Sequence, residues 1–527
     1  MTATSTKGIT VDPLSDLDLK ALGSAVGLDV DDAAAAQLAR AANQLLEGVA
    51  PVAEDLAGTA EPGHPDRWPG RRPTTIEDPL NAVVRWCDVP PTGDGPLSGR
   101  TVTVKDSISV AGVPTTCGYA PLGDHRPARD AVVIERVLAA GARVVAMTNM
   151  DAFGWAAGGE SGSYGPTLNP HDLERTAGGS SSGAGATLSY PGIDIGLGTD
   201  QGGSIRIPAS WCGYIGLKPT HGLVPYTGIA GIDQALDHTG PLAKDVETIA
   251  QVLSAIAGED ASDPRQRGVV VDDYASAVAE APDSLRGVRI GVLAEGFGRD
   301  PLADPAVEDE VRAAIDRFAG LGATIVEVSV EAHTRIGAAN FVCNIEGMAH
   351  LLNTGGEGRG AMGRYAPDFS RALSAALRER PDELSDQVKL AWMVGNHLTR
   401  AFGGALYGTA RNSLPSFRAE YDRVLGAVDL LIMPTTTFTA HRPYAGTEVA
   451  DRVAQGWSTM ANTGPFNSTG HPAVSLPTGA VGGLPVGTML VGPHGRDDLL
   501  LRTARVYEAA HGWTPGARHD GAGLQQR

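Results

Sequence analysis

The sequence predicts an α/β fold, with one large mixed, mostly parallel sheet covered by helices and a helical segment in front of it. Three observations carry this. Short β-branched runs alternate with alanine-rich stretches of helical spacing over most of the chain, the pattern of strands joined by helical crossovers. A chain of 527 residues with 42 % hydrophobic and 20 % charged residues can bury a sizeable core and matches soluble globular proteins rather than disordered or membrane ones. The 68 glycines gather partly in short runs, where backbone must turn tightly or approach another group.

Taken in order, Leu19 to Leu56 is rich in alanine and leucine, and Leu38, Ala41, Ala42, Leu45, Leu46 and Val49 fall on one helical face. Residues 58–75, GTAEPGHPDRWPGRRPTT, are crowded with proline, glycine and charge and read as a linker. The expected organisation is therefore a helical segment and linker over 1–75, a catalytic domain over 76–515 and a tail over 516–527. Within the domain, Val102 to Lys105 reads as a strand, Ala131 to Ala140 as a helix, and Arg143 to Met147 and Ile193 to Thr199 as strands. Further strands are expected at Gly287 to Leu293, Ala323 to Val330 and Asp429 to Met433, with a helix over Asp304 to Leu321 and a mostly helical stretch from Gly337 to Val428.

A net charge of −19 argues against nucleic acid and anionic membrane surfaces as partners, since both would repel the chain. Cys87, Cys117, Cys212 and Cys343 are widely spaced with no CxxC pair, so free buried thiols are expected rather than disulfides or a zinc site. The N-terminus has neither a basic start nor an apolar core, and no apolar run reaches the ~18 residues that span a bilayer. A cytoplasmic protein is the expectation.

Two clusters hold the chemistry: GGSSSGAGA from Gly178 to Ala186 and GTDQGGSIRIP from Gly198 to Pro208. The second follows a strand, and Pro208 suits a first helical turn, so Ser204 sits at a strand-to-helix turn. Backbone N–H groups of Gln201, Gly202 and Gly203 can converge there on the oxyanion of a tetrahedral intermediate. Neither cluster ends in GK[ST] as a phosphate loop does, neither has GxGxxG spacing, and Arg206 stands where a GxSxG elbow needs glycine. Ordinary turn glycine is the competing reading of either cluster alone.

Serine needs a partner to take its proton. Of thirteen histidines none lies in a patterned neighbourhood, and His171, His221 and His238 read as surface or structural. Lys105 ends the apolar strand TVTVK, where burial would lower its pKa and free the neutral amine, although a lysine at a strand end is commonly a surface residue. Position alone does not select it.

Together these residues resemble the amidase signature family. VKD carries Lys105, GGSSSG carries Ser180 and GTDQGGSIRIP carries Ser204, with 204 − 180 = 24 positions between the serines, as in that family. TNMD (148–151), YGPTLNP (164–170), GLKPTHGLVP (216–225), DHTGPLA (237–243) and GLPVG (483–487) extend the resemblance over about Asp78 to Gly512. The resemblance implies the amidase signature fold and a catalytic set of Lys105 as base, Ser180 as relay on a cis peptide bond and Ser204 as nucleophile. A covalent acyl-enzyme follows from it, with no cofactor or metal. Ser182 and Ala184 depart from the common GGSSGGSA form without touching that set. Lys218, in GLKPT, is a rival lysine, but Lys105 has the earlier strand and the Val-Lys-Asp context.

The DQGGSIRIP, GLVPYTG, YGTARN and NTGPFNSTGHP runs resemble bacterial nitrile-pathway amidases within the family. This implies a small-molecule amide substrate, an acyl pocket near Gly154, Trp155 and Tyr226, and a homodimer formed through the N-terminal helices. Hydrolysis of hydrazides, carbamates or anilides, the A subunit of a tRNA-dependent amidotransferase, and a non-catalytic binding protein on the same fold are the alternatives.

Overall fold

The computed structural model describes residues 12–513 except 50, 54–63, 65, 300–302, 357, 359–362 and 447. The chain divides into two compact units, Met1–Pro65 and Asp66–Arg527. Much of the expected linker, and the expected C-terminal tail, lie outside the described residues.

In the first unit the expected helical segment contains, among the described residues, the helices Asp16–Ala25 and Asp32–Glu47. Ser15 caps the first, exchanging hydrogen bonds with Asp18, and the Asp31 side chain accepts from Ala34 N at the start of the second. The break falls at Gly27, whose φ of 79° is left-handed backbone that ends a helix cheaply. Ala35 and Ala39 are buried on the second helix, whereas Leu38, Leu45 and Val49 are exposed.

The second unit is built on one twelve-stranded sheet. Its strands are β1 (Trp68–Arg71), β2 (Val83–Val89), β3 (Thr101–Lys105), β4 (Arg143–Thr148), β7 (Ile195–Asp200), β8 (Ile215–Lys218), β9 (His238–Ala243), β10 (Arg289–Leu293), β11 (Thr324–Val328), β12 (Leu430–Pro434), β13 (Ala473–Val481) and β14 (Leu484–Val491). A separate hairpin pairs β5 (Leu168–Asn169) with β6 (Asp172–Thr176). The order across the large sheet is β1-β2-β4-β3-β7-β9-β8-β13-β14-β12-β10-β11. β1 falls inside the stretch read as a linker.

The single mixed sheet covered by helices is as expected, but its majority sense is not. Among the described residues, seven of the eleven neighbouring pairs are antiparallel, and only β3–β4, β3–β7, β10–β11 and β10–β12 are parallel. The physical reason lies in the connections. Strands joined by helical crossovers, such as β3 and β4 through the helix Val132–Ala139, pair parallel. The antiparallel majority comes from strands such as β9 (HTGPLA) and the β13–β14 hairpin, which carry glycine and proline within them.

The sheet centre is apolar on both faces. Val102, Val104, Val144, Ile195, Leu197, Leu217, Ile290, Leu431, Val474 and Leu490 belong to one continuous core. After β11 the chain runs through four long helices, Gly337–Thr354, Pro367–Glu379, Asp386–Phe402 and Ala405–Leu425, before returning to the sheet at β12. All four cysteines are free and buried, and no described helix is long and apolar enough to cross a membrane.

Candidate active site

β3 and β7 are parallel neighbours with Val104 opposite Leu197, so both strands end at the same edge of the sheet. Lys105 closes β3 and Asp200 closes β7, and the two serine clusters pack against that edge. Buried strand ends of this kind are where α/β sheets gather their polar groups.

Lys105 is fully buried, with Nζ 2.7 Å from Ser180 Oγ and 2.8 Å from Thr199 Oγ1. Burial lowers its pKa to about 7, against the raising pull of Asp151 and Asp200. A large fraction of the side chain is thus a neutral amine near neutrality. Asp106 turns away to Thr116, accepting from its N–H at 3.0 Å, and burial raises this carboxyl to about 7.

Ser180 follows a cis peptide bond with Gly179. Its loop is held from both sides. The Asp151 carboxylate accepts from the N–H groups of Gly159, Glu160 and Ser161 at 2.8 to 2.9 Å, and Gly179 N donates to Ala157 O at 2.8 Å. Ser181 N donates to Ser204 O at 3.1 Å, which ties the two serine clusters together directly.

Ser204 stands on the turn between β7 and the helix Arg206–Cys212. That turn wraps around one buried carboxylate. Asp200 accepts from Gly203 N at 2.7 Å, Ile205 N at 3.1 Å and Asn467 Nδ2 at 2.9 Å, and it pairs with Arg206 at 2.9 and 3.0 Å. Burial alone would raise Asp200, but the Arg206 charge and hydrogen bonds overcome it and hold the carboxyl at about 2. Gly203, at φ 137°, has no room for a side chain, since a Cβ would come within 2.2 Å of Thr463 Oγ1.

A cleft opens over Ser204, with Gly154, Trp155, Gln201, Ile232, Trp457 and Met460 among the residues that line it, and Asn344, Gln387 and Arg452 adding polar groups to its wall. Trp155 and Trp457 meet edge to face at 5.8 Å. Gly154 lies beside Ser180 and Gln201: a Cβ there would stand 3.4 Å from Ser180 Oγ and 3.6 Å from Gln201 Oε1.

Most of the residues singled out in the sequence meet here, with two corrections. Gly203 donates its N–H to Asp200, so of the three expected oxyanion donors only Gln201 and Gly202 line the cleft. Tyr226 does not line this cleft; its hydroxyl accepts from Gln201 Nε2 at 2.7 Å from behind. The histidines stand elsewhere. His171 bonds Cys212 O, His221 bonds Gln234 O and His238 bonds Leu236 O. Lys218 is also buried, but its Nζ donates to the carbonyls of Pro219 and His471, at 3.1 and 2.6 Å, and meets no serine. Thr199, Asp200, Arg206, Asn467, Trp457 and Gln387 were not read from the sequence. Asp200 and Arg206 carried the one available signal, two opposite charges six positions apart inside an otherwise uncharged motif.

The family model described as Amidase matches residues 91–501. An enantioselective amidase of Rhodococcus rhodochrous is 38 % identical over 86 % of this chain and 87 % of its own. The A subunit of the glutamyl-tRNA(Gln) amidotransferase of Halobacterium salinarum is 37 % identical over 81 % of this chain and 99 % of its own. Among solved structures, 6-aminohexanoate cyclic dimer hydrolase complexed with substrate superposes with a TM-score of 0.70 at 26 % identity, covering 87 % of this chain and 93 % of that one. The chain belongs to the amidase signature family, whose hydrolases act on C–N bonds.

Proposed function

We propose that the protein hydrolyses a neutral carboxylic amide with a largely apolar acyl group, through a covalent acyl-enzyme on Ser204. The observation that carries this reading is the buried lysine, with Lys105 Nζ 2.7 Å from Ser180 Oγ and a pKa lowered to about 7. Neutral Lys105 accepts the Ser180 proton as Ser180 takes that of Ser204, and Ser204 Oγ attacks the carbonyl carbon. Backbone N–H groups of Gln201, Gly202 and Ser204 receive the negative charge that develops on oxygen. The proton returns along the same path to the departing nitrogen, the C–N bond breaks, and water then releases the acid and regenerates Ser204. The overall balance is amide and water to carboxylic acid and amine or ammonia.

The substrate class follows from the walls. Trp155, Trp457, Met460, Ile232 and Val453 are apolar, and no carboxylate lines the cleft among the described residues. A second reading, that of an amidotransferase component, is favoured by the match to nearly the whole Halobacterium protein. Glutamine would bring an ammonium into this cleft with no acidic side chain on its wall to pair with it, so the hydrolase reading is preferred.

A turnover screen of aliphatic and aromatic amides, anilides, hydrazides, carbamates and glutamine tests this reading. The expected outcome is hydrolysis of apolar amides well above glutamine. Ser204→Ala should abolish turnover and fluorophosphonate labelling while leaving thermal unfolding nearly unchanged, because only one oxygen is removed. Turnover within a few-fold of the wild type in that variant would refute the mechanism.

A further inference from the structure

The Ser204 cleft is apolar where the substrate body would lie, yet one buried side chain on its wall is neither apolar nor satisfied. Gln387 is 6 % exposed and lines the cleft, and its Oε1 has no hydrogen-bond partner among the described residues. Native proteins rarely leave a buried carboxamide oxygen unmade, because it has lost water without gaining a donor. A leucine or methionine would fill the same space at no such cost.

The helix that carries this oxygen is held in place. Gln387 is the second residue of the helix Asp386–Phe402, which Ser385 caps, and the helix's Val388 and Ala391 share a buried cluster with Trp155 and Ile232 of the cleft wall. Beside it in the cleft, Asn344 commits its Nδ2 to Asn340 O and Oδ1 at 2.9 and 3.0 Å and cannot serve as the donor to Gln387. Arg452, at the same wall, lies 3.9 Å from the Asp386 carboxylate.

We infer that Gln387 is a specificity-determining residue, whose side-chain oxygen accepts a hydrogen bond from a neutral donor on the substrate body. Resting on the amidase reading above, this narrows the substrate class. The preferred amide carries an aryl or alkyl body packed against the wall that Trp155 and Trp457 form and, away from the scissile carbonyl, a hydroxyl or a second amide N–H. A charged ammonium is disfavoured, since Arg452 lines the cleft and no carboxylate does among the described residues. A site that holds an unsatisfied acceptor for its ligand discriminates strongly against the ligand that lacks the donor.

Matched substrate pairs test the assignment: phenylpropionamide against its para-hydroxyl derivative, and linear alkanamides against their ω-hydroxyl and ω-methoxy forms over a graded series of chain lengths. The wild type should favour the hydroxyl form over its methoxy and unsubstituted twins by roughly tenfold or more in kcat/KM, at one length or ring geometry. Gln387→Met should bring that ratio close to one with a cooperative unfolding transition retained. The same ratios read from the rate of Ser204 labelling by ω-hydroxyalkyl and alkyl fluorophosphonates examine the pocket independently of amide turnover. Absence of turnover on every amide would defeat the proposed function alone. Equal rates for all twins in both assays, or a preference that survives in Gln387→Met, would overturn the role of Gln387.

Discussion

A lysine can act as a base near neutral pH only if something holds its amine uncharged, and Lys105 meets that condition through burial at the end of β3. The consequence for activity has a definite sign. The competent form is deprotonated, so kcat/KM should climb with pH along a limb centred near 7 and level off above it. Lys105→Arg keeps the positive charge but cannot deprotonate at any usable pH, and it should be as inactive as Lys105→Ala from about pH 6 to 10. Partial activity in the arginine variant, or a limb that persists there, would make the lysine a structural cation rather than the base. Lys105, Ser180 and Ser204 were legible in the sequence because each sits in a run whose spacing is distinctive. The role of the Gly203 N–H was not, because it depends on Asp200 folding back over the turn, and Tyr226 reaches Gln201 only through the course of the long connection between β8 and β9.

The turn that carries Ser204 is organised around a fully buried ion pair. Asp200 and Arg206 are both inaccessible, and the carboxylate also holds the N–H groups of Gly203 and Ile205 on either side of Ser204. Removing one partner leaves the other charge stranded, at a cost of about 3 to 5 kcal/mol. Arg206→Met and Asp200→Asn should therefore each lower the denaturation midpoint and depress kcat more than KM. The double variant should be less destabilised than the sum of the two, a coupling that a double-mutant cycle measures directly. Strict additivity would mean that the turn is held by something else. The six strands read from the sequence, β3, β4, β7, β10, β11 and β12, are the ones that take part in its four parallel pairings. Each of these runs has a helix before or after it in the chain, which is what alternation detects. Strands such as β9 and β14 hold Gly240 and Pro241, or Pro485 and Gly487, in their interiors, and intrinsic propensity reads such runs as loops. They form strands because neighbours on both sides supply the pairing, and that information is not local.

For the whole molecule, the buried lysine assigned as the base is a burden on stability whose size varies with pH. In the unfolded chain Lys105 has the ordinary lysine pKa, about 10.4, whereas in the folded protein it is lowered to about 7. Between those values the unfolded state binds more protons than the folded one, so this residue makes stability rise with pH at up to about 1.4 kcal/mol per pH unit. Its cost is complete below about pH 7, where the folded protein must carry a buried charge, and it vanishes above the unfolded pKa, where both states are neutral. Other groups titrate over the same range. Burial raises Cys87 to about 12, for instance, and a thiol raised on folding costs stability at alkaline pH. The residue's own share is therefore isolated by comparison with Lys105→Met, which has nearly the same length and no titrating group. Chemical denaturation midpoints of the two proteins, measured from about pH 7 to 10, should show the methionine variant relatively most stable at the neutral end. That advantage should shrink steadily as the wild type sheds its proton penalty. A difference between the two that stays constant with pH would place the folded pKa of Lys105 near its unfolded value. The lysine would then be charged at neutrality, and the base of the proposed mechanism would have to be sought in another side chain.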